Sequence, residues 1–182
     1  MSSWRRALRA LGFAGALVGF GMLGPSIASA RPASDPAMHA DLDGQPLAVV
    51  EVGNHYCHDL DYPAIHCFSD PEALESEMNS GDSLAGASGF AGASAAAGTG
   101  VYATVYEYTT FQGSYMHMSQ NYTCLACIGW NDRISSFVAL NSQSGNFYTD
   151  WFYGGTVYGF CCNQQKTGLG SFDNTFSSVY RF

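Results

Sequence analysis

The sequence predicts an all-β domain over residues 101–182, assembled from one supersecondary unit used twice. Two observations carry this expectation. From Val101 onward the composition shifts to Tyr, Phe, Trp, Val, Thr and Ser, with strand-length segments broken by glycine or Asn/Asp turns. The same stretch also repeats itself at a 42-residue offset. Tyr106 to Gly113 (YEYTTFQG) is answered by Tyr148 to Gly155 (YTDWFYGG), with aromatic, aromatic and glycine in register. Eighteen residues after each glycine begins a matching hexapeptide, Asn131 to Ser136 (NDRISS) and Asp173 to Ser178 (DNTFSS), each preceded by an aromatic, Trp130 or Phe172. A fixed offset carried by specific residues is the mark of a repeated unit.

The elements follow in order. Val101–Tyr106, Ser114–Ser119, Ser136–Leu140, Thr156–Cys162 and Ser177–Phe182 read as the clearest strands, rich in aromatic and β-branched residues. No helical period of any length interrupts them. Two four-strand units would give eight strands in two sheets closing one core, a β-sandwich.

Three regions precede this domain. Residues 1–30 read as a signal peptide: Arg5, Arg6 and Arg9, then the apolar run Leu11–Leu23, then Ala28-Ser29-Ala30 as the cleavage pattern. The run is shorter than a membrane span needs. The Arg5-Arg6 pair leaves the general and the twin-arginine export routes both open. Residues 31–79 are acidic and read as largely disordered, with one helix at Pro71–Met78 opened by Asp70 and carrying Glu72, Glu75 and Glu77. Residues 80–100 are a Gly/Ala/Ser stretch, read as a flexible linker.

Cleavage after Ala30 leaves four basic residues, Arg31, Arg133, Lys166 and Arg181, against all fifteen acidic ones, a net charge near −11. Such a balance disfavours nucleic acid and anionic membrane as partners and favours cations. With no further apolar segment long enough to cross a bilayer, the expected product is secreted. Its six cysteines read first as disulfides. Cys57 and Cys67 are expected to staple a local loop. Three histidines and two aspartates around them (His55, His58, His66, Asp59, Asp61) leave a zinc or copper site as the other reading. Cys124 and Cys127 are expected to bridge to Cys161 and Cys162, with a four-thiolate zinc site as the alternative.

The hexapeptides hold the candidate chemistry. Each offers two adjacent Asn/Asp side chains and then two hydroxyls, the oxygen donors a hard cation such as Ca²⁺ requires. The same residues also make ordinary polar turns; their duplication in register with the hairpins favours the cation. The pattern Tyr-x-x-x-x-Phe/Tyr-x-Gly followed by Asn/Asp-Asn/Asp-x-x-Ser-Ser resembles the Greek-key motif of the βγ-crystallin superfamily, in its microbial calcium-binding branch. The resemblance covers Val101–Phe182. It implies two Greek keys forming one sandwich, with paired loops binding two calcium ions. Asn131, Asp173, Ser135 and Ser177 would then ligate through side chains. Arg133 and Thr175 would contribute backbone carbonyls, with Glu107 and Thr149 completing the shells. Asp132 and Asn174 also match the motif, as ligands or as loop braces.

No phosphate-cradling glycine pattern, paired carboxylates or Ser/His/Asp arrangement points to an enzyme. The expected function is therefore calcium binding by a secreted protein that the ion stabilises. The alternative is a secreted proteinase inhibitor or toxin-like factor on the same fold, with a protease or a cell-surface component as partner.

Overall fold

The computed structural model describes residues 38–80 and 100–182; the expected signal (1–30) and nearly all of the Gly/Ala/Ser stretch lie outside the described residues. The strands are β1 (His39–Leu42), β2 (Gln45–Leu47), β3 (Tyr56–His58), β4 (Ala64–Phe68), β5 (Ala103–Tyr108), β6 (Gln112–Met118), β7 (Ser136–Ala139), β8 (Gly145–Tyr148), β9 (Val157–Phe160), β10 (Gln165–Lys166) and β11 (Ser178–Arg181). One α-helix, α1 (Pro71–Ser80), lies between β4 and β5. Among the described residues the fold is thus all-β with one α-helix.

The two units exchange strands. β5, β6 and β7 of the first unit lie in one sheet, and β8, β9 and β11 of the second lie in the other. β10, from the second unit, crosses to pair with β7. The first unit returns the exchange through the bridge between Tyr122 and Val179 of β11. Each unit is therefore incomplete without the other. The inward faces of both sheets meet in one core, where Phe137, Phe147, Phe160 and Phe176 are all buried. Phe147 stacks on Phe176 with ring centroids 4.9 Å apart and tilts against Phe137 at 5.2 Å. Aromatic pairs at such distances add to the area they bury.

Residues 38–80, which the sequence presents as irregular, form β1–β4 and α1. They extend the first sheet to the order β10-β7-β5-β6-β3-β4-β1-β2. β3 joins the edge of β6 in parallel, with Cys57 opposite Met116. These strands are short and interrupted by His, Asp and Pro, so local pattern does not announce them; they are held by pairing to β6 and by the Cys57–Cys67 disulfide. The pairing expected of Cys57 and Cys67 is formed, which leaves neither thiol for a metal. No group of three or more His, Cys, Asp or Glu placed to hold a metal occurs among the described residues. Helix α1 starts where expected, with the Asp70 carboxylate accepting from the Glu72 N–H at 2.7 Å. It lays Leu74 and Met78 on the outer face of the first sheet. Among the described residues no helix is long and apolar enough to cross a membrane.

The second cysteine expectation is corrected. Cys124 pairs with Cys127, and Cys161 and Cys162 are free and exposed. The reason is local. Cys124 caps a short 3-10 turn at Leu125–Ile128 that contains Cys127, and the turn brings their Cα atoms to 5.4 Å, within disulfide reach. Cys161 and Cys162 sit instead in the exposed turn by which the chain leaves β9 for β10, with Gln164 N–H donating to Cys161 O at 2.9 Å.

Candidate functional site

The site begins at two sharp corners. Between β5 and β6 the chain takes left-handed backbone at Thr110 (φ 57°) and Phe111 (φ 62°); between β8 and β9 it does so at Phe152 (φ 55°) and Tyr153 (φ 63°). Such conformations are costly for non-glycine residues and persist only when their surroundings hold them. The last serine of each hexapeptide does this. Ser136 Oγ donates to Tyr108 O at 2.6 Å and accepts from Phe111 N–H at 3.1 Å. Ser178 Oγ repeats this with Asp150 O at 2.6 Å and Tyr153 N–H at 3.0 Å. The motif glycines follow from the same corners. A Cβ on Gly113 (φ 81°) would strike the Tyr108 ring, and one on Gly155 (φ 77°) the Asp150 carboxylate. The motif aromatics pack above them, Tyr106 on Phe111 at 5.4 Å and Tyr148 on Tyr153 at 5.7 Å.

Ser136→Ala and Ser178→Ala should each therefore cost about 1–3 kcal/mol, since each removes two hydrogen bonds from a strained corner. Urea unfolding of each variant checks this; an unchanged midpoint would show that the corners hold themselves.

The corners bring the two hexapeptides side by side and bond them reciprocally. Asp132 N–H donates to Phe176 O at 3.0 Å, and Asn174 N–H donates to Ile134 O at 3.1 Å. Ser135 N–H reaches Tyr106 O at 3.0 Å, and Ser177 N–H reaches Tyr148 O at 2.8 Å. Asp132 (φ 53°) and Asn174 (φ 54°) occupy matching left-handed positions, which Asn and Asp tolerate better than most residues. All four bonds obey the 42-residue offset, so the loops are related by a local twofold.

Side-chain oxygens gather across that twofold. Ser135 Oγ donates to Asn174 Oδ1 at 3.0 Å, and Asn174 Nδ2 donates to Asp173 Oδ2 at 3.3 Å. In the first loop Asn131 Nδ2 donates to Asp132 Oδ2 at 2.6 Å. Asp132, Asp173 and Asn174 are exposed, while Ser135 and Ser177 are buried beneath them. Thr175 caps its own turn through Oγ1 to Phe172 O at 2.9 Å. Thr149, in the second hairpin, accepts the Thr156 N–H on its Oγ1 at 2.9 Å.

Three residues are engaged in ways that the repeat does not signal. The Trp151 indole N–H donates to Asn131 Oδ1 at 3.1 Å, laying the second hairpin over the first loop. The Arg133 guanidinium pairs with Glu107 at 2.7 Å and donates to Asn54 Oδ1 at 2.8 Å. Asn54 is delivered there because backbone meets backbone at Gly53 and Gly129: a Cβ on Gly53 would strike Gly129 O, and one on Gly129 would strike Val50 O. Arg133 and Thr175 stand at equivalent positions, so the first loop carries a fixed positive charge that the second lacks. The donors of both loops are carboxylate, amide, hydroxyl and carbonyl oxygens, the chemistry of a hard cation and not of a soft one.

No family model matches the chain, and no curated protein matches it. Among solved structures the chain is similar to the N-terminal domain of protein S, at 26% identity over 44% of this chain and 94% of that one, with a TM-score of 0.41. It is also similar to a beta gamma crystallin from Ciona intestinalis, at 23% identity over 44% and 98% of the two chains and a TM-score of 0.41. A betagamma-crystallin from an archaeon gives 26% identity, 45% and 98% coverage and a TM-score of 0.40. Two Greek keys that trade strands across two sheets, each closed by its own hairpin corner and hexapeptide, make residues 101–182 a βγ-crystallin-type segment of this chain.

Proposed function

We propose that the paired hexapeptides bind two calcium ions and that the protein is an exported, calcium-stabilised module with a binding rather than a catalytic role. The observation that carries this reading is the reciprocal bonding of the two loops, which sets Ser135 Oγ of one against Asn174 Oδ1 of the other at 3.0 Å. Ligands that come from both motifs couple the ion to the strand-exchanged fold, so binding stabilises the native state by mass action. Asn131, Ser135, Asp173 and Ser177 would hold the ions through side chains. Carbonyls of Glu107, Arg133, Thr149 and Thr175 would complete the shells, with Asp132 and Asn174 ligating or bracing. The two disulfides accord with export to an oxidising compartment.

Arg133 makes the two sites unequal. Its charge neutralises Glu107 and opposes a cation beside the first hairpin, whereas no such charge stands at Thr175. Calorimetric titration should show two ions per chain in two steps, and millimolar calcium should raise the melting temperature. Ser135→Ala and Ser177→Ala should each weaken binding while leaving the calcium-free fold nearly intact. Absence of heat and of any melting shift at millimolar calcium would end this reading.

A further inference from the structure

Four of the six cysteines are paired, and the remaining two, Cys161 and Cys162, are adjacent, exposed and in contact. Neighbouring side chains on a strand point to opposite faces, so two adjacent cysteines ordinarily keep their sulfurs apart. Here the chain has just left β9, and Cys162 (φ 61°) and Asn163 (φ 63°) are both left-handed. That turn sets the two thiols together. The Cys161 side chain is hydrogen-bonded to Cys162, which raises its pKa above the ordinary thiol value. The turn itself is held by bonds that do not involve the sulfurs. Cys162 N–H donates to Gln143 O at 3.1 Å, Gln164 N–H to Cys161 O at 2.9 Å, and Ser142 N–H to Asn163 Oδ1 at 2.8 Å. Left-handed backbone at non-glycine residues persists only where the surroundings fix it in this way. Among the described residues no third His, Cys, Asp or Glu joins the pair in a group placed to hold a metal. The chemistry on offer is therefore that of two thiols with each other.

We propose that Cys161 and Cys162 are a reversible redox site, closing to a disulfide between adjacent residues by exchange with a low-molecular-weight disulfide. One cysteine thiolate attacks a sulfur of that disulfide and expels a thiolate, leaving a mixed disulfide. The neighbouring thiolate then attacks the cysteine sulfur and expels the second half. Two cysteine thiols are oxidised, one external disulfide is reduced to two thiols, and the two cysteine protons pass to the departing thiolates. The bond so made is labile. Adjacent Cα atoms stand about 3.8 Å apart, below the usual disulfide span of roughly 4.4–6.8 Å, and strained, exposed disulfides are the easily reduced ones. Its position gives it a task. By the 42-residue offset, Cys161, Cys162 and Asn163 correspond to Ser119, Gln120 and Asn121. In the first unit that crossing is clamped by the buried Asp59 carboxylate, which accepts from Ser119 N–H at 2.6 Å and Gln120 N–H at 3.2 Å. In the second unit the same crossing leads from β9 to β10, the strand that pairs with β7 of the first sheet. It carries two thiols where the first carries the clamp, so the oxidation state of the pair sets the stiffness of this joint between the sheets.

Equilibration of the purified protein in mixtures of reduced and oxidised glutathione, followed by acid quenching, alkylation with N-ethylmaleimide and mass spectrometry of the digest, tests the proposal. In oxidising buffer the peptide carrying Cys161 and Cys162 is expected to be free of label and lighter by two hydrogens. Reduced glutathione should return it to the doubly alkylated form at a level at least about tenfold below that needed to open Cys57–Cys67. Cys162→Ser removes the second thiol and should leave Cys161 trapped as its glutathione adduct. Amide hydrogen exchange at residues 163–166 should slow at least about threefold when the pair closes. Both thiols alkylated at every glutathione ratio, glutathione adducts on the parent protein in place of the internal bond, or linkage between chains on a non-reducing gel would overturn the proposal. So would a bond as resistant to reduction as Cys57–Cys67, or amide exchange at the turn indifferent to its closing.

Discussion

Asp59→Ala is expected to destabilise the protein by about 3–5 kcal/mol, a loss set by leaving several buried donors without a partner. Asp59 is fully buried just beyond β3, and its carboxylate takes Ser119 N–H at 2.6 Å, Gln120 N–H at 3.2 Å and the Tyr122 hydroxyl at 2.7 Å. Its backbone carbonyl accepts from Ser119 Oγ at 3.1 Å. The residues it gathers, 119–122, form the crossing from β6 to the bridge at Tyr122, by which the first unit enters the second sheet. One carboxylate from the N-terminal region therefore positions the strand exchange of the βγ-crystallin-type segment. Burial pushes its pKa up, and the three donated hydrogen bonds pull it back toward the ionised form. Urea unfolding of the alanine variant measures the loss. Asp59→Asn, which keeps the shape, should retain part of the stability and guards against a variant that fails to fold. A loss below about 1 kcal/mol would mean that water replaces the carboxylate at no cost.

The part of this fold legible in the sequence is the part that repeats. Hairpin corners, glycines and hexapeptides could be placed because each is dictated by a local constraint, a left-handed corner or a serine lock, imposed twice at one offset. β8 escaped because Gly145 and Asn146 dilute its pattern, and β10 because two residues carry no period. The strands β1–β4 escaped for a different reason. Segments of three to five residues bearing His39, Asp41, Pro46 and His66 acquire strand structure only from their neighbours, and pairing of β3 with β6 is a non-local fact.

The candidate site divides the same way. Backbone positions at the two loops follow from the motif. What the side chains do depends on which residues the rest of the chain delivers. Trp151 reaches Asn131 from the opposite hairpin, and Asn54 reaches Arg133 through the glycine contact between Gly53 and Gly129. The cysteines teach the same lesson in reverse. One short 3-10 turn sufficed to pair Cys124 with Cys127, three residues apart, where a longer-range pairing was expected.

The stability of the protein should fall steeply as pH drops from 6.5 toward 4, because of a row of polar side chains buried across the first sheet. Cross-strand register sets His66 opposite His58, His58 opposite His117, and His117 opposite Thr104. His66 sits at the open end, its Nδ1 2.7 Å from Asp41 and its Nε2 3.5 Å from Asp61. His58 and His117 lie inside, 4% and 0% exposed. Burial pushes His58 down to about 4, helped by the charge of His66 and opposed by Asp61 and Asp41. Burial pushes His117 down to about 3, with His58 adding to it. The geometry gives the reason. His117 Nδ1 meets Thr104 Oγ1 at 2.9 Å and its Nε2 has no partner among the described residues, so an imidazolium there would lack an acceptor for its second proton. Both folded-state values are depressed, so the unfolded chain binds the protons first. The stability these histidines contribute is complete above the unfolded value of 6.5 and is lost as pH falls toward the folded values. Each pH unit in that window removes about 1.4 kcal/mol per histidine, on the order of 5 kcal/mol for the pair by pH 4.5. Asp59, whose pKa burial raises, takes up its proton more readily in the folded state than in the unfolded one, which acts in the opposite sense to the histidines. Urea midpoints at pH 7.5 and pH 4.5 measure the difference, and His58→Gln/His117→Gln should flatten it by removing the titrating pair. A parent protein with equal midpoints at both pH values would mean that the row admits water or an acceptor on protonation, and that the buried histidines are not the acid-sensitive element.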